Sequence, residues 1–354
     1  MTPHERVRRA VAHEVPDRVP FDYTANAGID ARLKEHFRLA PDDAEGLLRA
    51  LGVDFRTVTP RYIGPQLHSA PDGVRTSLWG AHTRWVEHET GGYWDYCDWP
   101  LEDATVEEIE RFPLPSPDDF DYDAAMRRID ELDDYYLVVG DAGHADVINS
   151  TGMVRTMSTV LTDFALGEPG SLRYAERKSG VQLEVLERIL ERAQGRIDMV
   201  SMGEDLGTQI GPMISLDMYR SVLAAIHERF VRLAKRYDAA VMFHSCGSSS
   251  WVYPDLVEMG VDVMDTLQPE AKDMSPEYLK RTFGDRLAFH GCISTAGPLA
   301  YGSVADVRAD VRETLETMKP GGGYILAPTH AIQDNSPTGN VVEMYRAGRE
   351  YGEY

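Results

Sequence analysis

The chain has 354 residues, 43% of them hydrophobic, and 58 acidic against 36 basic side chains give it a net charge of −22, so a large core is available and nucleic acid is excluded as the expected partner. No stretch approaches the roughly 18 uninterrupted apolar residues of a membrane span, and no apolar run after Met1 reads as a signal peptide, so no membrane association and a cytoplasmic location are expected. Three cysteines, Cys97, Cys246 and Cys292, are too few and too far apart for a disulfide framework, which leaves free or metal-bound thiols.

Thr2-Pro3-His4-Glu5 reads as an N-cap with Pro at the first helical position and Glu at N3, and predicts a helix over roughly residues 3 to 13. Asp17 to Tyr23 predicts a short strand, and residues 28 to 52 predict two helices stopped by Gly52. Residues 55 to 121 read as an elaborated insert. Its first part is rich in aromatics (Trp79, Trp85, Tyr93, Trp94, Tyr96, Trp99) that either roof a pocket or pack within the insert; its second part is an acidic linker punctuated by Pro113, Pro115 and Pro117.

Beyond residue 122 helix and strand alternate. The expected strands are Tyr136–Gly140, Met199–Met202, Ala239–Phe243, Val261–Asp265, Leu287–His290 and Tyr324–Pro328, and the expected helices include 122–132, 179–194, 217–237, 254–260, 276–284 and 303–318. This alternation predicts an α/β chain with a parallel sheet. A (β/α)8 TIM barrel spanning residues 1 to 354 as one domain fits better than an open sheet, because no Gly-rich dinucleotide fingerprint follows the first strand.

Each strand exits into chemically capable residues, and barrel active sites are built from those ends. Asp141 and His144, Glu204, Asp205 and Gln209, His244 and Cys246, Gln268, Cys292, and His330 and Gln333 are therefore expected to face one another. His244 and Cys246, two apart on an extended backbone, point the same way; they form half of a zinc site or a buried His beside an inert thiol. Glu204 and Asp205 are candidate acid/base residues, and Asp141, His144, Gln209, Gln268 and Gln333 candidate substrate contacts.

Four segments carry a resemblance: Gly203 to Gln209, Phe243 to Gly247, Phe283 to Gly291 and Ala327 to Gln333. They are similar to the uroporphyrinogen decarboxylase superfamily, most of all to its branch of zinc-dependent, corrinoid-linked methyltransferases of the methylcobalamin:coenzyme M type. The likeness is strong from about residue 195 onward. It implies a (β/α)8 barrel, a zinc ion, a corrinoid (methylcobalamin) reached through a partner protein, and compatibility with a homodimer. The Arg-rich substrate motif of true decarboxylases is missing after Asp17-Arg18-Val19-Pro20, which argues against porphyrinogen decarboxylation. Where the methyltransferases place a distant cysteine ligand, this chain has Ala327-Pro328-Thr329-His330. The resemblance thus makes His330 the expected third ligand beside His244 and Cys246, with Cys292 as its rival. Imidazole in place of thiolate leaves the metal a stronger Lewis acid, which favours activating an oxygen, such as the ether of a methoxylated substrate or a bound water, over activating a thiol. The other readings are a metal-assisted lyase or hydrolase with Glu204 as base and a non-catalytic binding barrel.

Overall fold

The computed structural model describes residues 1–88 and 91–354. Seven parallel strands form the central sheet: β1 (Phe55–Thr57), β2 (Tyr136–Gly140), β3 (Met199–Gly203), β4 (Ala240–His244), β5 (Val263–Thr266), β6 (Ala288–Ile293) and β7 (Tyr324–Pro328), in that order across it. β2, β3, β6 and β7 are buried at every position, as continuous apolar strands in a parallel sheet are. Because all pairings are parallel, the C-terminal ends of the strands lie along one edge.

The expected first strand, Asp17 to Tyr23, forms only a single-residue parallel bridge, Phe21 to Leu326 of β7. The segment nevertheless touches both edges of the sheet. Leu326 N donates to Pro20 O at 2.9 Å, Asp22 N donates to Leu326 O at 3.1 Å, and on the other side Asp54 N, just before β1, donates to Phe21 O at 2.9 Å. Two features keep it from a longer ladder. Pro20 has no N–H to offer, and the N–H of Phe21 is taken by the Asp54 carboxylate at 2.8 Å.

β1 itself falls inside the stretch expected to be irregular insert. Its three residues carry no readable period, and Arg56 at their centre is buried through bonds to Glu45 Oε1 and to the carbonyls of Val53 and Phe55. The insert proper follows. It holds a three-stranded antiparallel sheet (Val74–Thr76, His82–His88, Gly91–Tyr96), a pairing of Arg61–Tyr62 with Phe120–Asp121, and the helix Val106–Arg111. Ala81, Leu101, Ile109, Val154 and Tyr174 form a small core of their own where this insert meets the helices after β2.

Those helices are Ile148–Arg155, Met157–Leu166 and the 25-residue Pro169–Ala193. The last begins ten residues before its expected start because its first half buries Ser171, Lys178 and Gln182, whose polarity hides the helical period. Ala224–Arg236, Tyr253–Met259, Pro276–Phe283, Val304–Met318 and the unexpected C-terminal Thr338–Tyr351 complete the layer. Among the described residues no helix is long and apolar enough to cross a membrane.

Candidate metal centre at the strand ends

β4 delivers His244 as its last residue, and two residues on Cys246 turns back toward it, with Sγ 3.5 Å from His244 Nε2. The exit of β3 adds Asp205, whose Oδ1 lies 3.7 Å from the same nitrogen. One ligand atom from each of Asp205, His244 and Cys246 falls within 4.8 Å of the others, the one grouping of this kind among the described residues.

Each member is held from behind. Asp205 Oδ1 accepts the Cys246 amide at 2.8 Å and its Oδ2 accepts from Asn149 Nδ2 at 2.7 Å. The loop after Cys246 is fixed by Gly247 N donating to Gln268 Oε1 at 2.6 Å. His244 Nδ1 meets Asp265 Oδ2 at 2.6 Å, and the other oxygen of Asp265 meets His290 Nδ1 at 2.6 Å. His290 Nε2 in turn contacts Asp22 Oδ2 at 3.0 Å. The line Asp22–His290–Asp265–His244 therefore crosses the strand ends and stops at the cluster, and the parallel register explains it: Asp265 sits opposite His244 on one side and His290 on the other.

Burial disfavours charge on His244, Asp265 and His290, but their mutual attraction outweighs it. Asp265 is held far below the usual carboxylate range by the two imidazoles, His290 is pushed up to about 10, and His244 is also raised by Asp265. Burial pushes the Cys246 thiol up, with His244 opposing the shift.

The remaining candidates lie elsewhere. His330 is exposed, its Nδ1 3.4 Å from Ala331 O and 3.4 Å from Gln333 Nε2, and it is not brought into the cluster. Cys292 is not brought in either. Gly291 and Cys292 have φ of 122° and 71°, which breaks the alternation of β6 after the inward His290, and the buried thiol lines a cavity with Pro276 and Asp310 instead. Glu204, 1% exposed, accepts from the amides of Val147 at 2.7 Å and Ile148 at 3.0 Å and so holds the start of the helix Ile148–Arg155. Burial pushes its carboxyl up to about 7 against those hydrogen bonds. Gln209 is exposed on its loop, and Gln333 accepts from Asn26 Nδ2 at 3.1 Å. Asp141 and His144 line a separate cavity of about 400 Å³ beside the cluster.

Sequence reasoning passed over Asp265, His290, Asp22 and Asn149. A signal for the first two exists: Asp265 and His290 end apolar runs one and two strands along from the similar ending at His244, and parallel registration would have set the three side by side.

Residues 192–351, which supply Asp205, His244, Cys246, Asp265 and His290, match the model of uroporphyrinogen decarboxylase. The matched segment contains all three candidate ligands, while Asp22, Asn149 and the insert lie before it. Among solved structures, a methyltransferase from Methanosarcina mazei matches with a TM-score of 0.66 at 18% identity, over 99% of each chain, a likeness of fold. Xylanase 10B from Thermotoga maritima matches at 13% identity over 67% of this chain and 82% of that one, with a TM-score of 0.41. No curated protein matches the chain.

Proposed function

We propose that the chain is a zinc-dependent methyltransferase that moves a methyl group between a small methoxylated or thiol substrate and a corrinoid carried by a partner protein. The observation that carries this reading is the convergence of an imidazole nitrogen, a thiol sulfur and a carboxylate oxygen within 4.8 Å. Such a mixed three-ligand set suits zinc and leaves a fourth position for substrate. The fold likeness to a protein described as a methyltransferase supports the reaction class. The reading also takes the Phe21 segment as the eighth stave of a closed (β/α)8 barrel, since it bonds to both β7 and the entry of β1.

Zinc at this position would supply Lewis acidity to the heteroatom that carries or receives the methyl group. The chain's own residues do the rest. Asp265 holds His244 by Nδ1 so that Nε2 faces Cys246 and Asp205. Asn149 and the Cys246 amide fix the two oxygens of Asp205, and Gln268 fixes the turn after Cys246. His330, at the exit of β7, is not counted among the ligands in this reading, because Asp205 takes the third place. Glu204, buried against the helix amides of Val147 and Ile148, is given a structural role in this reading.

The test is turnover of zinc-loaded protein with methylcobalamin and a panel of small thiols, and with cob(I)alamin and a panel of methoxylated compounds, followed by corrinoid absorbance. The expected result is a zinc-dependent change that disappears in Cys246→Ser. No change in either direction with zinc bound contradicts the reading.

A further inference from the structure

A cavity of about 400 Å³ lies between the turn after β2, the helix Pro169–Ala193 and the insert. Its size is near the lower end for ligand pockets and suits a single ring rather than a nucleotide or a tetrapyrrole. Leu78, Trp79, Phe120, Tyr62 and Met153 form its apolar wall. Trp79 is anchored by its carbonyl, which accepts from the buried Tyr174 hydroxyl at 2.7 Å. Flat apolar faces of this kind select an aromatic ring.

The polar wall combines an exposed carboxylate, Asp141, with a buried ammonium. Lys178 is only 2% exposed, yet its ammonium has a single hydrogen-bond acceptor, Gly143 O at 3.0 Å, and lies 5.6 Å from the Trp79 ring centroid. Two of its three donors are left for a ligand. Asp141, on the same cavity, uses Oδ1 for the Gly143 amide at 2.8 Å and for His144 Nδ1 at 3.1 Å, which leaves Oδ2 as an acceptor. An anionic ligand would meet Asp141 and Asp146, and a cationic one would meet Lys178. A neutral group that both accepts and donates satisfies both, and on a single ring the smallest such group is a hydroxyl, which accepts from the ammonium and donates to the carboxylate.

The turn that lines the cavity packs beside His244, although no candidate ligand itself lines it. A Cβ placed on Gly203 would lie 2.9 Å from Ala142 O, in the turn that lines the cavity, and 2.9 Å from His244 Cβ. Only a glycine there lets the two approach so closely.

We infer that this cavity is the substrate pocket and that it binds a neutral, hydroxylated, single-ring aromatic molecule of the phenol class, its ring against Trp79 and its hydroxyl between Lys178 and Asp141. The inference rests on the proposed methyl transfer at the neighbouring cluster and names the substrate class for it.

The experiment is calorimetric titration of the full-length, metal-free protein with phenol and 2-methoxyphenol, beside benzoate, anisole and cyclohexanol. The two phenols bind saturably and about tenfold or more tighter than the comparators, which lack the hydroxyl, the ring or neutrality. Trp79→Leu, at the cavity wall, and Lys178→Met each weaken the phenols about tenfold, whereas Cys246→Ser binds them like wild type. Absence of saturable phenol binding, equal or tighter binding of benzoate, or an unchanged affinity in Trp79→Leu overturns the inference. Because binding is read without metal, phenol binding in a protein that transfers no methyl group leaves the pocket standing and removes only the reaction. Methyl transfer without phenol binding does the reverse.

Discussion

His244 turns Nδ1 onto Asp265 Oδ2 at 2.6 Å, and this contact makes Nε2 the nitrogen that faces Cys246 and Asp205. A carboxylate behind a ligating imidazole fixes the ring and raises its basicity. Asp265→Asn is expected to weaken zinc binding by about 10–100-fold while the far-ultraviolet spectrum stays native. Competition with a chromophoric chelator measures this, and an unchanged affinity would show that Asp265 does not position the ligand.

His290 gives the chain a pH signature. Burial opposes its charge, but Asp265 and Asp22 push its pKa up to about 10. Raised in the folded state, the group contributes stability that is fully present below its unfolded value of about 6.5 and is lost as pH rises through about 10. Metal-free protein held in chelator is therefore expected to lose stability between pH 7 and 10, by at most about 1.4 kcal/mol per pH unit from this residue. Urea midpoints across that range should flatten in His290→Gln; equal slopes in the two proteins would remove the residue from the account.

The N-terminal segment is tied to the sheet through Asp54. That carboxylate, 1% exposed, accepts from Arg6 Nη1 at 2.6 Å, Arg18 Nη1 at 2.9 Å and Phe21 N at 2.8 Å. Asp54→Ala removes the buried carboxylate from two guanidinium groups, which keep only Asp17 and backbone carbonyls, and from the Phe21 amide, and a cost of about 3 kcal/mol is expected in urea unfolding. A loss well below about 1 kcal/mol would mean that the bridge of Phe21 to β7 holds the segment without it.

Thiol chemistry separates the cysteines. Cys97 and Cys246 are partly exposed, whereas Cys292 is buried and its thiol is pushed far up by desolvation. Ellman's reagent is expected to label Cys97 and Cys246 in the native protein and Cys292 only after denaturation, with zinc protecting Cys246. Native labelling of Cys292 in Cys97→Ser/Cys246→Ser protein would contradict the burial of its thiol between β6 and the helix layer.

Much of the fold was legible because apolar runs ended in polar exits: six of the sheet's strands and the pairing of His244 with Cys246 follow from that pattern alone. β1 was illegible because three residues with Arg56 in the middle carry no period, and Phe21 because Pro20 and the Asp54 carboxylate replace ladder bonds. The site was half legible. Asp205 and His244 are on neighbouring strands, but alternation pointed Cys292 inward and could not reveal the positive φ of Gly291 and Cys292 that turns it away. Lys178 lay hidden in a polar half-helix whose burial only the packed insert creates.

The central claim is tested most directly by metal analysis of the purified protein after zinc reconstitution and gel filtration, wild type beside Asp205→Asn, Cys246→Ser and His330→Ala. The account predicts about one zinc per chain in wild type and His330→Ala, and little or none in Asp205→Asn and Cys246→Ser. Zinc retained in Asp205→Asn but lost in His330→Ala, or no zinc in the wild type, would contradict it.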